Sequence, residues 1–190
     1  MDASIYSRFR LSADASEVHD LIDSVGAAAT GEVEDYVLLS LGNRVWYDTD
    51  NSGDVNGSEV GVNGVTVELY NDDGDRIGTT TTNATGYYTF SNLIPDTYQV
   101  VITATNFSSG GPLEETVSST VETPGTDSHD NGVDPATLGA YATDGVWSDP
   151  IVLTTGGAPG IGVDGNGANS DLTVDFGFYR LSMGDTVWDD

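Results

Sequence analysis

The sequence predicts an all-β protein, an antiparallel β-sandwich with long loops. Three observations carry this. Apolar and polar residues alternate over short stretches, as in Val65, Val67 and Leu69 or Tyr98, Val100 and Ile102. Clusters of Gly, Asn and Asp punctuate those stretches at regular spacing, drawing on 24 glycines. Thr, Val and Tyr, which suit a pleated surface, dominate where helix formers are sparse. The 37% hydrophobic content and 190-residue length are enough for one or two packed cores.

Taken in order, Tyr6 to Leu11 and Val33 to Leu38 each have the pattern of a strand. Between them Asp14-x-x-Glu17 fits a capping box, followed by Val18, Leu21, Ile22 and Val25 at helical spacing. After the Val65–Leu69 alternation, Asn71-Asp-Asp-Gly-Asp75 turns the chain into the β-branched run Thr79 to Thr82. Asn83-Ala-Thr-Gly86 is a second turn, leading to the alternating Tyr88 and Phe90. Pro95-Asp96 separates this strand from the one holding Tyr98, Val100 and Ile102. Residues 108–170 are rich in Gly, Ser, Asp and Thr and predict long loops with one or two strands, such as Val146–Leu153. Leu172, Val174, Phe176 and Phe178 alternate as a closing strand.

Charge narrows the function. There are 31 acids against 5 bases, all arginine, for a formal net charge of -26. Such a chain repels nucleic acid and anionic membranes. Its acids also repel one another, which opposes compaction unless cations compensate; a merely solvated acidic face is the alternative, and composition does not separate the two. Hard carboxylate and carbonyl oxygens suit Ca2+. No apolar run reaches the ~18 residues a membrane helix requires. The first ten residues lack the apolar core of a signal peptide, so an export signal would lie outside this chain.

The chain also repeats itself. Leu39-Ser-Leu-Gly-Asn-Arg-Val-Trp-Tyr-Asp48 aligns with Leu181-Ser-Met-Gly-Asp-Thr-Val-Trp-Asp-Asp190, identical at six of ten positions. The expectation is three parts: 1–38, a complete unit over 39–180, and the start of a further unit at 181–190. The parent protein is then longer on both sides.

The densest chemistry lies in Asp48-Thr-Asp50-Asn-Ser52-Gly53-Asp54-Val55-Asn56-Gly-Ser-Glu59. This is a twelve-residue loop of EF-hand type. Asp48, Asp50 and Ser52 supply oxygens at positions one, three and five, and Gly53 permits the sharp turn at six. Asp54 would donate its carbonyl at seven, and Glu59 stands at twelve for bidentate coordination. One Ca2+ needs six to eight oxygens, and only a tight coil delivers them from a single segment. Two further groups, Asp127, Asp130 and Asp134, and Asp164 with Asp171, are candidate calcium ligands or solvated turns.

Other signals fail on context. Gly160-Ile-Gly162-Val-Asp-Gly165 fits a dinucleotide pattern, but no strand–helix unit surrounds it. Ser128, His129 and Asp130 are neighbours in one loop and do not converge as a triad. Two histidines and no cysteine make zinc a poor candidate. The expectation is a protein that is not an enzyme.

Several motifs together carry a family resemblance. Gly42-x-x-Val-Trp-Tyr-Asp48 and the acidic loop are followed by Gly61-Val-Asn-Gly-Val-Thr-Val-Glu-Leu69 and Thr82-Asn-Ala-Thr-Gly-Tyr-Tyr-Thr-Phe90. Leu93-Ile-Pro-Asp-Thr-Tyr-Gln-Val100 and Leu172-Thr-Val-Asp-Phe-Gly-Phe178 complete the series. Over 39–180 the chain resembles the SdrD B-like domain, a Cna-B-like module of bacterial surface proteins. The resemblance implies an Ig-like, prealbumin-like sandwich, stacked in tandem as a calcium-stiffened spacer in a secreted or cell-surface adhesin. Its partners would be neighbouring domains of the same chain, with any surface ligand unknown. The alternative is a calcium-dependent carbohydrate- or protein-binding module. A spacer predicts that Trp46, Tyr88 and Phe90 are buried; a lectin predicts an exposed aromatic platform beside the ion. Related modules carry a Lys–Asn isopeptide bond, which a chain without lysine cannot form. Tyr6-Ser-Arg-Phe-Arg-Leu11 with Gly31-Glu-Val-Glu-Asp-Tyr36 resembles the tail of a GEVED domain.

Overall fold

A computed structural model describes residues 6–12, 31–119, 131–137, 140–159 and 167–180. The helix expected after Asp14, the Gly160–Gly165 loop and the repeat restart at Leu181 lie outside the described residues. Two strands, β1 (Tyr6–Ser12) and β2 (Gly31–Val37), pair antiparallel by themselves, with Tyr6 opposite Val37 and Ser12 opposite Gly31.

The remaining strands form two facing sheets. Those of the first half are β3 (Leu39–Tyr47), β4 (Thr66–Asn71), β5 (Arg76–Thr81), β6 (Tyr87–Leu93) and β7 (Asp96–Ile102). A 3-10 turn at Ala104–Phe107 precedes β8 (Thr116–Ser118) and β9 (Gly132–Val133). A single helical turn, α1 (Tyr141–Asp144), leads to β10 (Val146–Ser148) and β11 (Ile151–Leu153). The chain then closes with β12 (Ser170–Asp171) and β13 (Phe176–Arg180). One sheet runs β5-β4-β7-β10-β9, with β11 also on β7; the other runs β12-β3-β13-β8, with β6 on β3.

The inward faces follow the alternation in the sequence. Val67, Leu69, Val100 and Ile102 from one sheet meet Leu39, Leu41, Val45, Phe90, Phe176 and Phe178 from the other. Phe107 closes one end, 5.5 Å from both the Tyr141 and Phe178 rings.

Three features depart from the sequence reading. First, the pairings among these strands are antiparallel except that β12 and β13 run parallel to β3. The long connection before the last strands lets the chain return in the same direction as the first. Second, the expected closing strand Leu172–Phe178 is broken between β12 and β13. The buried Asp175 bridges the break: its Oδ1 accepts the Arg44 N–H (2.9 Å) and its Oδ2 accepts from Asn43 Nδ2 (2.9 Å). A carboxylate thus stands where a strand carbonyl would, so no β3 amide there is left unpaired. Third, Val146–Leu153 is two strands, because Pro150 has no N–H to give to β7. There the Ser148 hydroxyl stands in for a strand carbonyl, accepting the Val100 N–H at 2.9 Å.

β3 changes partners along one edge. Its first part pairs with β6, whereas Trp46 bridges Gly61, with Tyr47 N donating to Val60 O and Val62 N to Val45 O. The exchange occurs where Gly61 and Gly86 cross. A Cβ on Gly61 would lie 1.9 Å from Thr85 O, and one on Gly86, whose φ is 85°, would lie 2.3 Å from Val45 O. Only glycine fits either position.

Candidate metal centre

The acidic loop begins where β3 ends. Asp48 N donates to Phe178 O at 2.9 Å, the last rung between β3 and β13, and leaves the Asp48 side chain buried at the mouth of the sandwich. From there the chain coils through three left-handed residues, Asn51, Gly53 and Gly57 (φ 55°, 80° and 54°). These are residue types that tolerate this region.

The coil turns its oxygens inward. Asp48 Oδ1 accepts from Ser52 N (3.1 Å) and Oδ2 from Gly53 N (2.8 Å). Glu59 reaches back across the loop: Oε1 accepts from Thr49 N (2.6 Å) and Oε2 from Asn56 N (3.1 Å). Carboxylate oxygens of Asp48, Asp50 and Glu59 all lie within 4.8 Å of one another. Like charges this close repel one another. Among the described residues this is the one cluster of three or more acidic or histidine side chains close enough to share an ion.

The remaining loop oxygens stand beside the trio. Ser52 Oγ donates to the Asp54 carbonyl (3.2 Å) and accepts from Asn56 Nδ2 (2.9 Å), and the same amide reaches Asp50 Oδ2 at 3.2 Å. Interaction with the Ser52 side chain, and then with the Asn56 amide, holds the Asp50 carboxyl below its ordinary value. Asn56 is absent from the ligand set expected from sequence. Its signal was its place at position nine, and a half-turn of its amide would present oxygen instead of nitrogen. Arg44 was also missed: its Nη2 donates to Glu59 O at 3.2 Å and its guanidinium lies 5.6 Å from the Tyr87 ring centre.

Of the two further groups of candidates, the described residues include one member each, Asp134 and Asp171. Asp134 is exposed and accepts from the Tyr141 hydroxyl at 3.1 Å. Asp171 is buried in β12, where its Oδ1 accepts from Thr173 Oγ1 (2.6 Å) and Thr173 N (3.2 Å). Asp127, Asp130 and Asp164 lie outside the described residues.

Residues 39–148 match the SdrD B-like domain family. Serine-aspartate repeat-containing protein F of Staphylococcus epidermidis is 33% identical over 156 residues, covering 80% of this chain and 8% of that protein. Serine-aspartate repeat-containing protein D of Staphylococcus aureus is 32% identical over 153 residues, covering 80% and 9%. The chain therefore spans under a tenth of the length of these relatives. Among solved structures, the minor pilin GBS52 of Streptococcus agalactiae aligns with a TM-score of 0.38 at 10% identity, covering 81% of this chain and 49% of that one. With more than half its residues inside the family match, the chain belongs to the SdrD B-like domain family.

Proposed function

We propose that residues 39–180 form a calcium-stiffened spacer repeat in a secreted or cell-surface, adhesin-like multidomain protein. The observation that carries this is the convergence of Asp48, Asp50 and Glu59 at the end of a core strand. Three carboxylates at that spacing favour a cation, and a hard oxygen set favours Ca2+. Ser52, the Asp54 carbonyl and Asn56 would complete the shell. The ion would fix where β3 ends rather than switch a helix pair, since the loop is flanked by strands.

The spacer reading is favoured over a calcium-dependent lectin because Trp46, Tyr88 and Phe90 are inside, at 0%, 3% and 7% exposure. In this reading 1–38 is the tail of a GEVED-like module, 181–190 opens the next repeat, and the unit has no catalytic activity of its own. Asp127, Asp130, Asp134, Asp164 and Asp171 remain candidates for further ions. Extracellular calcium modules have Kd of about 10⁻⁴–10⁻³ M. At about 1 mM calcium, one site adds roughly 0.4–1.4 kcal/mol to stability.

Thermal melting with calcium and with chelator, at matched ionic strength, tests this. The expected result is a higher Tm in calcium, with bound metal seen by calorimetry. Equal Tm in both buffers, with no heat of binding, would overturn it.

A further inference from the structure

The outer face of the six-stranded sheet carries an aromatic roof that the core does not use. Tyr70 stands on β4 and Trp147 on β10, and β7 lies between those two strands. Two strands apart is about 9.5 Å, yet the ring centres are 5.0 Å apart, tilted by 41°. Both rings therefore lean over β7. Beneath them Val101 is 4% exposed, although it points away from the core that Val100 and Ile102 enter. Val133, opposite Trp147, and Val152, opposite Thr97, extend the same face and are 43% and 55% exposed.

The polar tips of this patch are already engaged. Tyr70 OH donates to Glu68 Oε2 (2.9 Å), Trp147 Nε1 to Asp144 O (3.0 Å) and Gln99 Nε2 to Ser148 O (3.0 Å). A sugar needs a set of hydrogen-bond partners for its hydroxyls, and a donor of each of these three side chains is already engaged within the protein. What remains is ring face, valine and negative field. Exposed Asp72 and Asp73 follow β4, and exposed Asp144 and Asp149 flank β10. Among the described residues, the one arginine on the face, Arg76, is paired with Glu68.

We propose that this face docks a basic polypeptide segment, with Arg or Lys side chains over the Tyr70 and Trp147 rings and aliphatic contacts to Val133 and Val152. Ring faces attract cations, and Trp and Tyr dominate binding energy in interfaces. The surrounding carboxylates steer a cationic partner inward. A second copy of this chain, itself at -26, is repelled by the same field.

The test uses the whole chain in calcium buffer and a dye-labelled dodecapeptide of alternating Arg and Ser, read by fluorescence anisotropy. Tyr70→Ser with Trp147→Ser leaves the net charge unchanged and is expected to weaken binding at least tenfold, while Ile94→Ser at an exposed turn leaves it unchanged. Amide shifts in the unaltered protein are expected on β4, β7 and β10; this map decides the matter if the double variant fails to melt cooperatively. Equal peptide affinity for parent and folded double variant, or shifts confined to Asp48–Glu59, would overturn the proposal. So would calorimetric binding of a neutral N-acetylglucosamine hexamer that is lost in the double variant while peptide binding is kept.

Discussion

At the residue scale, Glu59 unites the loop. Its two carboxylate oxygens hold the amides of Thr49 and Asn56, one near each end of the coil. Glu59→Gln keeps the size and removes the charge and one of two equivalent oxygens. It is expected to weaken calcium binding about tenfold or more and remove most of the calcium-dependent gain in Tm, read by calorimetry and melting. Acid should act on the same group of charges. Asp50 is held below its ordinary 3.8 by the Ser52 side chain and the Asn56 amide. A depressed carboxyl contributes stability that is present above the unfolded value and is lost as pH falls through the folded one. The calcium-dependent gain in Tm is thus expected to persist at pH 6 and to fall away in acid below 3.8, with Asp50 titrating below that value by carbon NMR. Tyr141 lies at the other extreme: burial, then the Asp134 charge, pushes its hydroxyl up to about 12.

At the scale of elements, legibility depended on strand length. The alternations Val65–Leu69 and Tyr98–Ile102 gave β4 and β7 because each places three inward residues in a row, a pattern chance seldom makes. β8, β9 and β12 are two or three residues long, too short for a period of two to declare itself. Side-chain stand-ins were also hidden. Nothing in the local sequence marks Asp175 or Ser148 as a substitute for a strand carbonyl; that role exists only once β3 and β7 lie alongside. The loop, by contrast, was legible because its oxygens come from consecutive residues, and Asn56 was overlooked only as a side-chain oxygen at position nine. Ser148→Ala tests the stand-in. It strands the buried Val100 N–H and is expected to cost about 1–3 kcal/mol by urea unfolding, whereas Ser148→Thr, which keeps the hydroxyl, should cost less. Equal losses would show that the hydroxyl's bond to Val100 is not what matters.

At the scale of the whole molecule, the pairing of β3 with β13 has a mechanical consequence. The first and last strands of the unit are neighbours and run the same way. The chain therefore enters at one pole and leaves at the other. A pull on both ends does not peel this ladder open one rung at a time. It slides β3 against β13, loading the rungs together, and the acidic loop grips the far end of that ladder through Asp48 N and Phe178 O. Forced unfolding is governed by the unfolding barrier, not by equilibrium stability. A calcium ion held there as proposed would contribute only about 1 kcal/mol at equilibrium and would matter most under tension, where it resists the first slip. In single-molecule stretching, the rupture force is expected to be high in calcium and to drop on chelation by a larger fraction than the Tm does. Equal rupture forces with calcium and with chelator would leave the loop as a fastener of the resting fold alone.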